Sequence, residues 1–241
     1  MTCDRTIDIT EDKSTIVFGQ SHEPHEFPKF RVYSHDPDED KWYQRGFVER
    51  PPTQRELQDD DTSSRRLISS SVSISNDGER VALGSNLGKK VKIFHLESDN
   101  LEDKWTVIKS FTSNQNLFGQ SVSLNPVDGT MIAIGSPINY YSETGHTGEV
   151  HVYQEINNRW KELSPTIGKD LNEETLGWRV DIDKNNIVHV GYKNKPTVLS
   201  YQRINKKWEL LPDNDGLADS DLKNCFMQTS DNCQTTFSDT Q

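Results

Sequence analysis

Short segments that alternate between apolar and polar residues recur along the chain. Four of them are residues 6–9 (TIDI), 70–74 (SSVSI), 120–124 (QSVSL) and 179–182 (RVDI). Strict alternation places the apolar side chains on one face of a β-strand and the polar ones on the other. Each segment therefore predicts a strand with one buried face.

Each alternating segment opens a five-part pattern that occurs four times in the same order. A polar turn follows it, then an apolar run that ends in glycine, a variable loop, an alternating run that closes on an aromatic residue, and a polar turn before a tryptophan. The glycines are Gly19, Gly84, Gly135 and Gly191, and the tryptophans are Trp42, Trp105, Trp160 and Trp208. A unit of about 50 residues with three or four short strands is typical of a propeller blade.

The pattern predicts an all-β, β-propeller-like fold with four repeats, up to four antiparallel strands in each, and few helices. The units are predicted at residues 5–45, 67–110, 117–163 and 175–211, with an acidic insert at 46–66. Residues 212–241 are polar and are expected to form a disordered tail. Because each tryptophan holds the same place in its unit, the four are expected to pack one blade on the next.

The third unit resembles the FG-GAP repeat of integrin-α-like β-propellers. Phe118-Gly119 matches the FG element, and Gly135-Ser136-Pro137 stands where the family has Gly-Ala-Pro. The resemblance covers residues 5–211 and is weaker outside the third unit. The integrin-like propeller has seven blades, so four units leave three alternatives open: a small closed ring, an open arc completed by a second copy, and a fragment.

The family's calcium-binding blades carry an Asp-rich turn between the first two strands, and calcium needs six or more oxygen ligands. The corresponding turns here hold too few carboxylates, as at Asp77 and Asp128. No metal and no other cofactor is predicted. His22 and His25 form the densest potential ligand cluster, and a solvated loop is the favoured interpretation for them.

Charge and hydropathy argue against several classes of protein. The 27 Lys and Arg against 38 Asp and Glu give a net charge of −11, which argues against nucleic-acid binding. No apolar run is long enough to insert into a membrane. No signal peptide is visible, which favours the cytoplasm unless the chain is a truncated secreted protein. Cys225 and Cys233 are expected to be reduced thiols, with pairing as the alternative.

A non-enzymatic protein-interaction or adhesion-like module is the predicted function, since no catalytic motif is present. The partner is expected at loops 20–29, 85–90, 136–149 and 191–197, with a homo-oligomer expected if four units do not close a ring. A carbohydrate-binding propeller is the alternative, followed by a propeller-fold glycoside hydrolase. The candidate binding residues are Tyr140, Tyr141, Glu143, His146, His22 and His25.

Overall fold

A computed structural model describes residues 7–20, 29–48, 71–85, 89–98, 103–115, 117–137, 148–168, 175–193 and 197–212. These ranges contain seventeen strands and no α-helix. The strands are β1 (Ile7–Ile9), β2 (Thr15–Gln20), β3 (Lys29–Asp36), β4 (Lys41–Gln44), β5 (Phe47–Val48), β6 (Ser71–Ile74), β7 (Arg80–Ser85), β8 (Lys90–Ser98), β9 (Asp103–Thr112), β10 (Ser121–Leu124), β11 (Met131–Ser136), β12 (Glu149–Ile156), β13 (Arg159–Glu162), β14 (Arg179–Ile182), β15 (Val188–Gly191), β16 (Val198–Ile204) and β17 (Lys207–Leu210).

Consecutive strands pair antiparallel into four sheets, which we call blades 1 to 4. Blade 1 is β1–β4, blade 2 is β6–β9, blade 3 is β10–β13 and blade 4 is β14–β17. The strand order in each blade follows the chain, so every blade is an antiparallel meander. The predicted all-β, propeller-like fold with four-stranded repeats is confirmed.

One strand departs from the predicted plan. β5 lies parallel to β9 and adds a fifth strand to the outer edge of blade 2. The sequence predicted an acidic insert from residue 46, but Phe47 and Val48 are β-forming residues that extend the sheet. Trp105 Nε1 donates to Arg45 O at 2.9 Å beside this strand, which ties the end of blade 1 to blade 2.

The core lies between blades rather than inside any one of them. Three clusters of buried residues separate blade 1 from blade 2, blade 2 from blade 3 and blade 3 from blade 4. The innermost strands of successive blades, β1, β6, β10 and β14, lie side by side in that order. The apolar side chains at these three boundaries are therefore buried by a neighbouring blade rather than within one sheet.

Within the described residues, the four blades form an open arc. Ile7 and Ile9 on the innermost strand of blade 1 are 52% and 47% exposed, which a packed fourth blade would prevent. The insert from residue 49 and the tail from residue 213 lie outside the described residues. Nothing helical in the described ranges has the length and apolar character needed to cross a membrane.

Candidate functional site

Every blade carries the same six apolar positions on the face that points toward the preceding blade. Two lie on the first strand, two on the second, one aromatic residue on the third and one tryptophan on the fourth, as the strand registers show. We call this set the six-residue frame. In blade 2 the frame is Val72, Ile74, Val81, Leu83, Phe94 and Trp105.

Blades 2, 3 and 4 bury their frames against the blade before them. The members in blade 2 are at most 4% exposed, and Trp105 is 1% exposed. The frame of blade 3 is Val122, Leu124, Ile132, Ile134, Tyr153 and Trp160, and that of blade 4 is Val180, Ile182, Val188, Val190, Tyr201 and Trp208. In both blades the aliphatic members are buried, and the tryptophans are partly buried against the same clusters.

Blade 1 keeps the frame but has no described blade in front of it. Its members are Ile7, Ile9, Ile16, Phe18, Tyr33 and Trp42, which we call the open face. Ile7, Phe18 and Trp42 are 52%, 37% and 48% exposed. Contiguous exposed apolar patches are a feature that interaction surfaces share.

A groove of about 710 Å³ runs across the open face. Its walls are Ile16, Phe18, Gly19, Arg31, Tyr33 and Trp42. The rings of Phe18 and Tyr33 meet edge to face with centroids 6.0 Å apart, and Trp42 packs on His35 at 5.1 Å. These contacts hold the aromatic side chains in place while leaving one side of the groove open.

An acidic turn borders the open face between β3 and β4. Asp36 accepts the backbone N–H groups of Asp38 and Glu39, which fixes the turn. The Tyr43 hydroxyl and then the Lys41 ammonium donate to Glu39 and lower the pKa of its carboxyl. An apolar centre with a charged rim is the usual anatomy of a protein–protein interface.

The outward face of blade 4 has polar side chains at two positions that are apolar in the other blades, and one of them, His189, is only 7% exposed. His189 stands where the second strands of blades 1 to 3 have Val17, Ala82 and Ala133. Its Nδ1 lies 2.9 Å from Ser200 Oγ, and Ser200 replaces a β-branched apolar residue of the other blades. The two ends of the arc thus differ in chemistry.

A polar cluster surrounds His151 on the third strand of blade 3. Its Nδ1 lies 2.8 Å from Glu162 Oε1 and its Nε2 lies 2.6 Å from Gln115 Oε1. Gln115 in turn donates to Glu149 at 2.9 Å. Because both ring nitrogens already have partners, the cluster ties the segment before blade 3 to its sheet and leaves no ring nitrogen for a general base.

The sequence-predicted binding residues Tyr140, Tyr141, Glu143, His146, His22 and His25 all lie outside the described residues. Among the predicted structural residues, Trp105, Trp160 and Trp208 lie within the interblade clusters, and Trp42 lies on the open face. Sequence reasoning missed the open face as a site. The first unit repeats the apolar frame of the other three, but the sequence does not show whether that frame is covered.

No protein-family model matches the chain, and no curated protein matches it. Solved structures that resemble it include a protein from Lactobacillus plantarum, 13% identical over 88% of this chain and 55% of that one, with a TM-score of 0.52. A functionally unknown protein from Desulfotomaculum acetoxidans is 13% identical over 87% and 55%, with a TM-score of 0.50. The Cps50 (Swd1) β-propeller domain from Myceliophteria thermophila is 10% identical over 80% and 51%, with a TM-score of 0.46. The chain spans about half the length of these structures.

Proposed function

We propose that this chain is a non-enzymatic protein-interaction module of the FG-GAP-like propeller kind, and that its partner covers the open face of blade 1. One observation carries the proposal. The frame that blades 2 to 4 bury is retained in blade 1, where Ile7, Ile9 and Trp42 are about half exposed. Burial of a fully exposed side chain of this size is worth roughly 1.5–3 kcal/mol, so covering the half that is still exposed would stabilise a complex by about half of that per side chain.

The chemistry of the open face favours a protein over a sugar. Apart from Arg31, which also lines the groove, the polar side-chain atoms of this described surface are the Tyr33 hydroxyl and the Trp42 indole N–H, and the other four members of the open face are aliphatic or phenyl side chains. Sugar sites combine a stacking ring with several hydrogen-bonding groups, whereas protein interfaces place apolar and aromatic anchors at the centre. The composition of this surface therefore favours protein binding over carbohydrate binding.

A double substitution on the open face tests the proposal. Ile9→Thr with Phe18→Glu removes apolar area and adds a charge at exposed positions, and the new carboxylate would face Arg31 across the strand pair. The matched control is Ile156→Thr with Val127→Glu, which makes comparable changes at exposed positions on blade 3. We expect a partner captured by the native chain to be retained by the control and weakened at least tenfold by the open-face variant. Equal capture by both variants would show that the partner binds elsewhere.

A further inference from the structure

His151 is a buried histidine whose two ring nitrogens both face oxygen atoms. Nδ1 lies 2.8 Å from Glu162 Oε1, and Nε2 lies 2.6 Å from Gln115 Oε1. A second carboxylate, that of Glu149, lies 3.8 Å from Nε2. The histidine is only 8% exposed, so its hydrogen bonding depends on these protein partners.

The orientation of the Gln115 side chain decides which of its atoms faces the ring. Its Nε2 donates to Glu149 Oε2 at 2.9 Å, which leaves Oε1 for His151. Rotating the amide by half a turn would instead place its oxygen against the Glu149 carboxylate. The Thr166 hydroxyl also donates to Glu149 Oε2, at 3.3 Å, and helps to hold that carboxylate in place. The ring therefore meets an amide oxygen at Nε2.

A neutral ring cannot satisfy both of its partners. Neutral imidazole has one N–H donor and one lone pair, whereas a carboxylate and an amide oxygen only accept. An imidazolium donates from both nitrogens, and its positive charge lies between Glu149 and Glu162. Phe118, whose ring centroid is 5.5 Å away, and Ile134, the cross-strand partner of His151, bring no charge to the site.

We propose that His151 is a proton-dependent clamp, in which the doubly protonated ring holds Gln115, on the segment that follows blade 2, against the sheet of blade 3. Loss of one ring proton leaves two acceptors facing each other in a buried site, so the clamp loosens. Because the folded state favours the protonated ring, the clamp stabilises the fold at low pH. That stability is lost as the pH rises from about 6.5, where a histidine of the unfolded chain titrates.

Urea unfolding across the range from about pH 5 to 8 tests the clamp in the native chain and in His151→Gln. The unfolding equilibrium constant should rise several-fold more across this range in the native chain, because the variant has no ring to deprotonate. The matched control is His95→Gln, which removes a histidine whose Nδ1 contacts the backbone oxygen of Glu79 and should keep the native pH dependence. Equal pH dependence in the native chain and in His151→Gln would overturn the proposal.

Glu162→Gln tests the role of the acceptors while keeping the histidine. The new amide can donate to Nδ1, so a neutral ring would then satisfy both partners. We expect this variant to have the shallow pH dependence of His151→Gln, although His151 is still present. If it keeps the native pH dependence, the contact between the ring and Glu162 is not the source of the effect and the proposal is wrong.

The native chain alone also provides a test, which covers the case in which the variants fail to fold. A long-range proton–nitrogen NMR spectrum of the folded chain, with only the histidine rings labelled with nitrogen-15, reports which ring nitrogens carry protons. At about pH 7 one buried ring should show a proton on each nitrogen, with contacts to the side chain of Phe118 that assign it to His151. A His151 ring with one bare nitrogen at this pH would contradict the proposal.

Discussion

Two tyrosines at the aromatic position of the frame have raised pKa values because they pack between blades. Burial, and then the nearby Glu162 carboxylate, raises the pKa of Tyr153 to about 12. Burial, and then the neighbouring Tyr192, raises the pKa of Tyr201 to about 12. Both rings pack between blades, Tyr153 with its centroid 4.4 Å from that of Phe111.

These raised pKa values predict a loss of stability in alkali. The unfolded chain releases each phenolic proton near pH 10, while the folded chain holds it until about 12. The unfolded state therefore binds fewer protons in this window, and the free energy of unfolding falls as the pH rises through it. Urea unfolding at a series of pH values measures the fall. The double variant Tyr153→Phe and Tyr201→Phe should show a shallower fall, and an unchanged slope would contradict the assignment.

At the scale of elements, the inner ends of the blades approach at backbone distance. A Cβ on Gly135 at the end of the second strand of blade 3 would lie 2.0 Å from Gly177 O of blade 4, and one on Gly84 would lie 2.5 Å from Gly119 O of blade 3. The glycine that ends each of these apolar runs in the sequence is thus required by the next blade rather than by its own strand. The repeated sequence pattern therefore specifies the close packing between blades as well as the strands within each blade.

Gly135→Ala should force blades 3 and 4 apart at their inner ends. The added methyl group meets backbone atoms that cannot move aside independently, so we expect a loss of about 2–4 kcal/mol in the free energy of unfolding. Chemical denaturation measures the loss. The control Val127→Ala, at a turn position that is 58% exposed, should change stability by no more than about 0.5 kcal/mol.

The described part of the molecule is an arc whose two ends differ in composition. Blade 1 presents Ile7, Phe18 and Trp42 to solvent, whereas the outward face of blade 4 carries a His189 that is hydrogen-bonded to Ser200 and only 7% exposed. A complementary pair of ends would favour rings or filaments of identical copies. The composition of these two ends therefore does not repeat the pairing seen between successive blades.

An apolar dye should report the open face in the native state. The fluorescence of 8-anilinonaphthalene-1-sulfonate in the presence of the folded chain is expected to fall several-fold in the Phe18→Glu variant, because the charge disrupts the groove. The unfolding free energy should change by no more than about 1 kcal/mol, since Phe18 is 37% exposed. If the signal persists in Phe18→Glu but is lost in a variant elsewhere on the arc, the dye binds another surface.

The sequence predicts the strands and their order because each blade is built from local alternation and consecutive pairing. It does not distinguish Trp42 from Trp105, which stand at equivalent places in their repeats, although one is 48% and the other 1% exposed. Exposure depends on whether a blade lies in front, and no local pattern records that. The contact between His151 and Gln115 also could not be predicted from the sequence, since it joins residues 36 positions apart across a blade boundary.

The order of the blades along the chain has a consequence for synthesis in the cell. Blade 1 leaves the ribosome before blades 2 to 4 and can complete its meander early, because all its strand pairs are local. Blade 2 then covers only the side that carries Val17, Phe30 and Val32. The side with Ile7 and Trp42 stays exposed to solvent while blades 2 to 4 are synthesised. Co-expression with a protein that binds this side would therefore protect the nascent chain from aggregation.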